Sequence, residues 1–180
     1  MVSPEAFSIQ KEADLLQALL QEIESVCRDF QQILQADLKI SGWSVGQHCE
    51  HILKADRLNL RAIRVLLEGG GELLQEVAAP HPILKVGVIP RGVAEAPGFV
   101  LPKDSPDQEQ LGLLAQRVLA DWNEIRNQVS QPGRTESEEA RRGISHHELG
   151  LLDIVSWIRF ARVHTEHHLS IIRSIQGEVA

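Results

Sequence analysis

Asp153-Ile154-Val155-Ser156-Trp157-Ile158-Arg159-Phe160-Ala161-Arg162-Val163-His164-Thr165-Glu166-His167-His168-Leu169-Ser170-Ile171-Ile172-Arg173-Ser174-Ile175 is the stretch on which the fold turns. Its apolar residues Ile154, Trp157, Ile158, Ala161, Ile171, Ile172 and Ile175 recur at helical spacing and describe one buried face of a long helix. His164 and His168 fall on that face. A helix sets residues i and i+4 one above the other, roughly 5 to 6 Å apart at Cβ, close enough for two imidazoles to grip one cation. Glu166 is two residues from each and points away from the core, so this is not the H-E-x-x-H order of zinc proteases, whose glutamate works beside the metal. His167 lies on the flank of the stripe. A lone histidine on an apolar face is ordinarily a hydrogen-bonded core residue, but two stacked imidazoles in a greasy interior must find partners. A third histidine at matching depth is what decides for a metal.

The 180 residues suit a single domain, 1–180, with a substantial core. A net charge of -7 without clusters of Lys and Arg argues against a grip on nucleic-acid phosphates. No apolar run approaches the ~20 residues that span a bilayer, so no membrane partner is expected. The first 30 residues carry acidic groups where a signal peptide needs a basic start, which makes the cytoplasm the expected compartment. Cys27 and Cys49 show no C-x-x-C spacing, and neither a disulfide framework nor a thiolate metal knuckle is suggested.

Three further helices are legible. From Ser8 to Gln35, Leu16, Leu19, Leu20, Ile23, Val26, Cys27, Phe30, Ile33 and Leu34 keep the spacing of an amphipathic helix, with Cys27 as an inert core thiol. The short link Asp37 to Gly42 returns the chain antiparallel. Ser44 and Gln47 then make a capping box, with Trp43 at the staple position, for a second helix reaching about Glu68. One stripe of it reads His48, His51, Ala55, Leu58, Ala62, Val65. His51 lies on the core side among small residues that admit a close neighbour. His48, a turn earlier, reads as a partly exposed neighbour of the cap, while Cys49 and Glu50 point elsewhere and Asp56 lies off the stripe. A third helix starts at Ser105-Pro106-Asp107, with Ser105 as cap, and buries Leu111, Leu114, Val118, Trp122, Ile125 and Val129 before Gln131-Pro132-Gly133.

Between the second and third helices, Gly69-Gly70-Gly71 stops one, and Pro80, Pro82, Pro90, Pro97 and Pro102 forbid regular helix over 72–104. A connection this long reads as a lid, crossover or binding loop. Its apolar part, 86–99, is suited to pack over the bundle with Arg91 as its cation, either a solvated loop residue or a contact for an anionic substrate. Residues 133–143 read as a charged surface loop. Ile144 to Gly150 leads into the last helix, with His146 and His147 as surface histidines or the edge of a site mouth.

The fold class is therefore all-α, a four-helix bundle with a long Pro/Gly-rich crossover that lets helices 2 and 3 run parallel. His51 supplies the third histidine beside His164 and His168. Three neutral imidazoles without a fourth protein ligand suit an open, catalytic site better than a closed structural one. No Ser/His/Asp order or phosphate loop offers a metal-free route.

Trp43-Ser44 followed by His51, and His147-x-Leu149-Gly150-x-Leu152 followed by Trp157 and His164-x-x-x-His168, resemble in order and spacing the DinB/YfiT-like superfamily of metalloenzymes over essentially the whole chain. The resemblance implies a bundle of unusual helix order, a divalent metal (zinc, nickel, iron or manganese) on His51, His164 and His168, and a homodimer. Family members include thiol-dependent S-transferases using bacillithiol, mycothiol or glutathione, an isomerase and hydrolases. It thus implies a small-molecule substrate and a low-molecular-weight thiol or water as nucleophile. The rival is a non-catalytic, stress-related or structural bundle in which the metal only cross-links helices. The Pro-rich insertion departs from the shortest members, so the substrate does not carry over.

Overall fold

The computed structural model describes residues 8–74, 80–92, 96–133 and 141–177. Four long helices dominate them: α1 (Ile9–Arg28), α3 (Val45–Leu67), α5 (Gln108–Val129) and α6 (Ile154–Ile175). Each has a side-chain cap at its start, from Ser8, Ser44, Asp107 and Asp153 respectively. α1 and α3 each pack against both α5 and α6, and their apolar faces meet in one core that includes Ile23, Ile52, Ile63, Trp122 and Ile158. Among the described residues no helix is long and apolar enough to cross a membrane.

Side-chain pairs give the helix directions. Glu50 accepts from the Lys103 amide just before α5, and Arg64 pairs with Asp121 and Glu124 further along it, so α3 and α5 run parallel. Glu12 meets Arg159 and Arg162 while Glu22 meets Arg173, so α1 and α6 also run parallel. Asp56 meets Thr165 and His48 meets His168, which sets α3 against α6. A parallel α3 and α5 require the chain to travel back along their length, and the segment from 68 to 107 does so.

Three helix boundaries depart from the expected ones. The first helix breaks at Asp29, whose extended backbone and side chain, accepting from the Gln31 and Gln32 amides, end α1 and start the one-turn α2 (Phe30–Ile33). The cap of α5 is Asp107, which accepts from Gln110, and not Ser105. Despite its prolines the crossover holds a short helix, α4 (Pro82–Val86), with Pro82 at the tolerated first position and Gly87 closing it at φ 78°. A single 3-10 turn follows at Gly98–Val100. Parts of the crossover, 75–79 and 93–95, and most of the expected charged loop, 134–140, lie outside the described residues.

The lead-in to the last helix is not a loop. Residues Arg142–His146 form β2, which pairs antiparallel with β3 (Gly150–Leu152) and with the two-residue β1 (Glu72–Leu73) that follows the glycine stop. The fold is thus mostly helical with a small three-stranded sheet. Gly71, at φ 86°, is required there because a Cβ would stand 2.6 Å from the Gly143 carbonyl oxygen.

The stripe expected on the second helix also shifts. His48 and His51 are buried, but Leu58 is 44 % and Val65 37 % exposed. The core face of α3 carries Cys49, Ile52, Leu53, Leu60 and Ile63 instead. The helix is covered on more than one side: Ala55 lines a cavity, Ala62 packs against the core, and α6 approaches closely at His51. Cys49, expected to point elsewhere, is fully buried with Cys27 as its partner, which raises its pKa well above the ordinary thiol value.

The capping box holds α3 at its site-bearing end: Ser44 Oγ accepts from the Gln47 amide at 3.2 Å and the Gln47 side chain accepts from the Ser44 amide at 2.9 Å. Ser44→Ala should lower stability by about 1 kcal/mol, read as a lower denaturant midpoint with an unchanged slope. A variant of wild-type stability would show that this end of α3 is held by packing alone.

Candidate metal centre and cavity

His51 sits in the second turn of α3, and His164 and His168 lie one turn apart in α6. Because the two helices run antiparallel, the three rings converge, with centroids 4.5 to 5.1 Å apart. Their ligand atoms all lie within 4.8 Å of one another, so the cluster could hold a metal ion. His51 Nε2 faces His164 Nε2 at 3.1 Å. Behind it, His51 Nδ1 donates to the Val100 carbonyl at 3.0 Å, which leaves Nε2 as a bare lone pair.

Burial keeps these rings neutral. His164 is pushed down to about 3, first by desolvation and then by the charge that His51 would carry. His168 is lowered further, by burial and then by His164, His51, His48 and His167. For His51 burial lowers the value while the bond to Val100 opposes it. Three neutral imidazoles are lone-pair donors in the form that metal binding requires. They stand too close to be protonated together, and His164 Nδ1 is buried without a hydrogen-bond partner among the described residues. The donor set fits a divalent ion of the kind imidazole prefers, such as zinc, iron or nickel.

The cluster opens on one side into a cavity of about 830 Å³. Trp43, Leu58, Ile89, Phe99, Trp157 and Phe160 give it apolar walls, interrupted by seven histidines, Asn59 and Ser145. Glu148 is the one carboxylate among the described lining residues, and no Lys or Arg occurs among them. Such a space suits an uncharged, largely apolar small molecule.

Of the remaining histidines, His81, His146, His147 and His167 line this cavity and His48 does not. Both hairpin histidines, His146 and His147, thus edge the site. His146 packs on Phe160 and Trp157, and burial lowers it to about 4. Arg91 is exposed and outside the lining, though near enough to disfavour a proton on His48 and His167. Glu166 pairs with Arg173, as its outward position suggests.

His48 differs most from expectation. It is 2 % exposed, lies edge-on to Trp43, and presents Nδ1 to His168 Nδ1 at 3.1 Å. Its burial depends on the partner helix and on Ser41, which periodicity along α3 does not reveal. Val100 was equally hidden, since a carbonyl ligand leaves no mark in residue type. Two carboxylates placed off the stripe are also buried. Glu50 binds Lys54 and the Lys103 amide, whereas Asp56, 1 % exposed, accepts from Asn59 and Thr165 directly beside His164 in the chain.

Compared with protein-family models, with curated proteins and with solved structures, the chain finds no match in any of the three.

Proposed function

We propose that the chain is a DinB/YfiT-like metal-dependent enzyme, a four-helix bundle in which His51, His164 and His168 hold one divalent ion facing a small, mostly apolar substrate. The observation that carries this reading is the placement of three imidazoles, one buried and two half-buried, at the inner wall of a cavity large enough for a drug-sized molecule. A divalent ion held there supplies Lewis acidity that brings a bound water or thiol to deprotonation near neutral pH.

The rest is the work of the chain. The Val100 carbonyl orients His51, while Trp43, Trp157, Phe160 and Phe99 exclude water and pack an apolar substrate. The absence of cationic residues among the described lining disfavours a highly anionic substrate. A low-molecular-weight thiol as nucleophile gives an S-transferase, and water gives a hydrolase. The resemblance makes a cytoplasmic homodimer the expected form. A second reading, a non-catalytic bundle, is favoured by one observation: the cluster bridges α3 and α6, so an ion there cross-links two helices.

Cobalt substitution separates the two. Catalytic use predicts that the visible absorption of the cobalt-loaded protein changes when a small thiol is added, because a coordination position is open. A spectrum indifferent to every thiol tried, together with no turnover of thiol-electrophile pairs or esters, would leave only the cross-link.

A further inference from the structure

His168 is distinguished from the other members of the cluster by what stands behind it. His51 is backed by a carbonyl, which can only accept, so one tautomer is imposed on that ring. His168 is backed by a second histidine: its Nδ1 lies 3.1 Å from His48 Nδ1, and His48 Nε2 lies 2.9 Å from Ser41 Oγ. Ser41 Oγ also accepts from the Trp43 amide at 3.1 Å. Trp43 then lies nearly parallel to His168, with ring planes 18° apart. The chain His168, His48, Ser41, Trp43 is therefore continuous.

Two neutral imidazole nitrogens facing one another at hydrogen-bond distance share one proton, so the chain has two settings. In the first, His48 donates from Nε2 to Ser41, its bare Nδ1 accepts from His168 Nδ1, and His168 Nε2 is left as a lone pair for the cluster. In the second, the Ser41 hydroxyl donates to His48 Nε2, His48 donates from Nδ1 to His168, and the proton on His168 then sits on Nε2, which cannot ligate. Only the first prepares His168 to bind an ion.

We propose that Ser41 and His48 form a tautomer relay that sets His168 Nε2 as a metal ligand, with His48 as its positioning residue. The proposal rests on the reading that His51, His164 and His168 hold the ion. The Trp43 amide occupies one lone pair of Ser41 Oγ and leaves another to accept from His48. Ion binding strengthens the first setting, since a coordinated imidazole is a better donor from its other nitrogen. His48 thus explains a buried polar side chain that contributes no ligand itself.

The test measures zinc and cobalt(II) affinity by chelator competition in wild type, His48→Leu, His48→Asn, Ser41→Ala and His164→Ala, with nitrogen NMR of the imidazoles in zinc-loaded wild type. The expected result is a loss of roughly 10- to 100-fold for His48→Leu, recovered in large part by His48→Asn, whose amide oxygen can accept where Nδ1 did. Ser41→Ala gives a smaller loss, and NMR places protons on His168 Nδ1 and His48 Nε2. Equal affinities for wild type, His48→Leu and His48→Asn would overturn the relay, as would coordination of zinc through His168 Nδ1. If wild type binds neither ion, or binds as well with His164→Ala, the metal centre itself falls. If His164→Ala loses the ion while His48→Leu keeps it undiminished, the relay alone falls.

Discussion

Replacing His164 with alanine is expected to abolish tight binding of divalent ions while changing the metal-free protein little. His164 faces His51 at 3.1 Å across the two helices and lies one turn from His168. Removing it leaves two imidazoles from different helices, and affinity should fall roughly a thousandfold or more, well beyond what loss of an outer contact costs. Saturating zinc at about a thousand times its dissociation constant stabilises a folded protein by ~4 kcal/mol. That increment, read as a zinc-dependent rise in melting temperature, should vanish in the variant. Without metal the substitution removes a ring that is neutral and has one unsatisfied nitrogen, so the relief of that nitrogen offsets part of the packing lost. A variant that keeps the zinc-dependent rise would refute the site.

The second large effect concerns Asp56. Burial pushes its carboxyl up to about 7, against the hydrogen bonds from Thr165 and Asn59 that hold it down. Because the folded value lies above the unfolded one near 3.8, the folded chain favours the neutral acid. The contribution is fully present below pH ~4 and is lost as pH rises through about 7, by as much as ~4 kcal/mol in alkaline solution. Asp56→Asn is neutral throughout and keeps an oxygen to accept from Thr165. In urea melts with chelator present, the variant should match wild type near pH 4 and surpass it by a few kcal/mol at pH 9. A difference that does not grow with pH would show that Asp56 is held as a carboxylate by partners beyond these two.

What could be read in the chain was local. The stripe of α6 and the capping box of α3 follow from spacing within a few residues, so the four long helices, the pairing of His164 with His168 and the depth of His51 were all legible. What could not be read came from other elements. The hairpin of 142–152 exists partly because Glu72 and Leu73 supply its outer strand from seventy residues away. Asp29 breaks α1 with a side-chain contact that competes with helix continuation, a choice an aspartate in an amphipathic pattern leaves open. His48 and Asp56 looked peripheral because a stripe drawn along one helix assumes one buried face, and α3 has neighbours on several. Phe30 and Leu34, assigned to the buried face, are 51 % and 58 % exposed once the chain turns at Asp29.

The crossover is pinned just beyond the one carbonyl it lends to His51. Lys54 holds the Leu101 carbonyl and Glu50 holds the Lys103 amide, while Phe99, beside Val100, turns toward the cavity. The strap that carries Phe99 is therefore fastened to α3, while α3 and α6 supply both the three histidines and the rest of the cavity wall. Under the proposed function, exchanging Ala96, Pro97 and Phe99 would re-cut the cavity wall while leaving the three histidines in place.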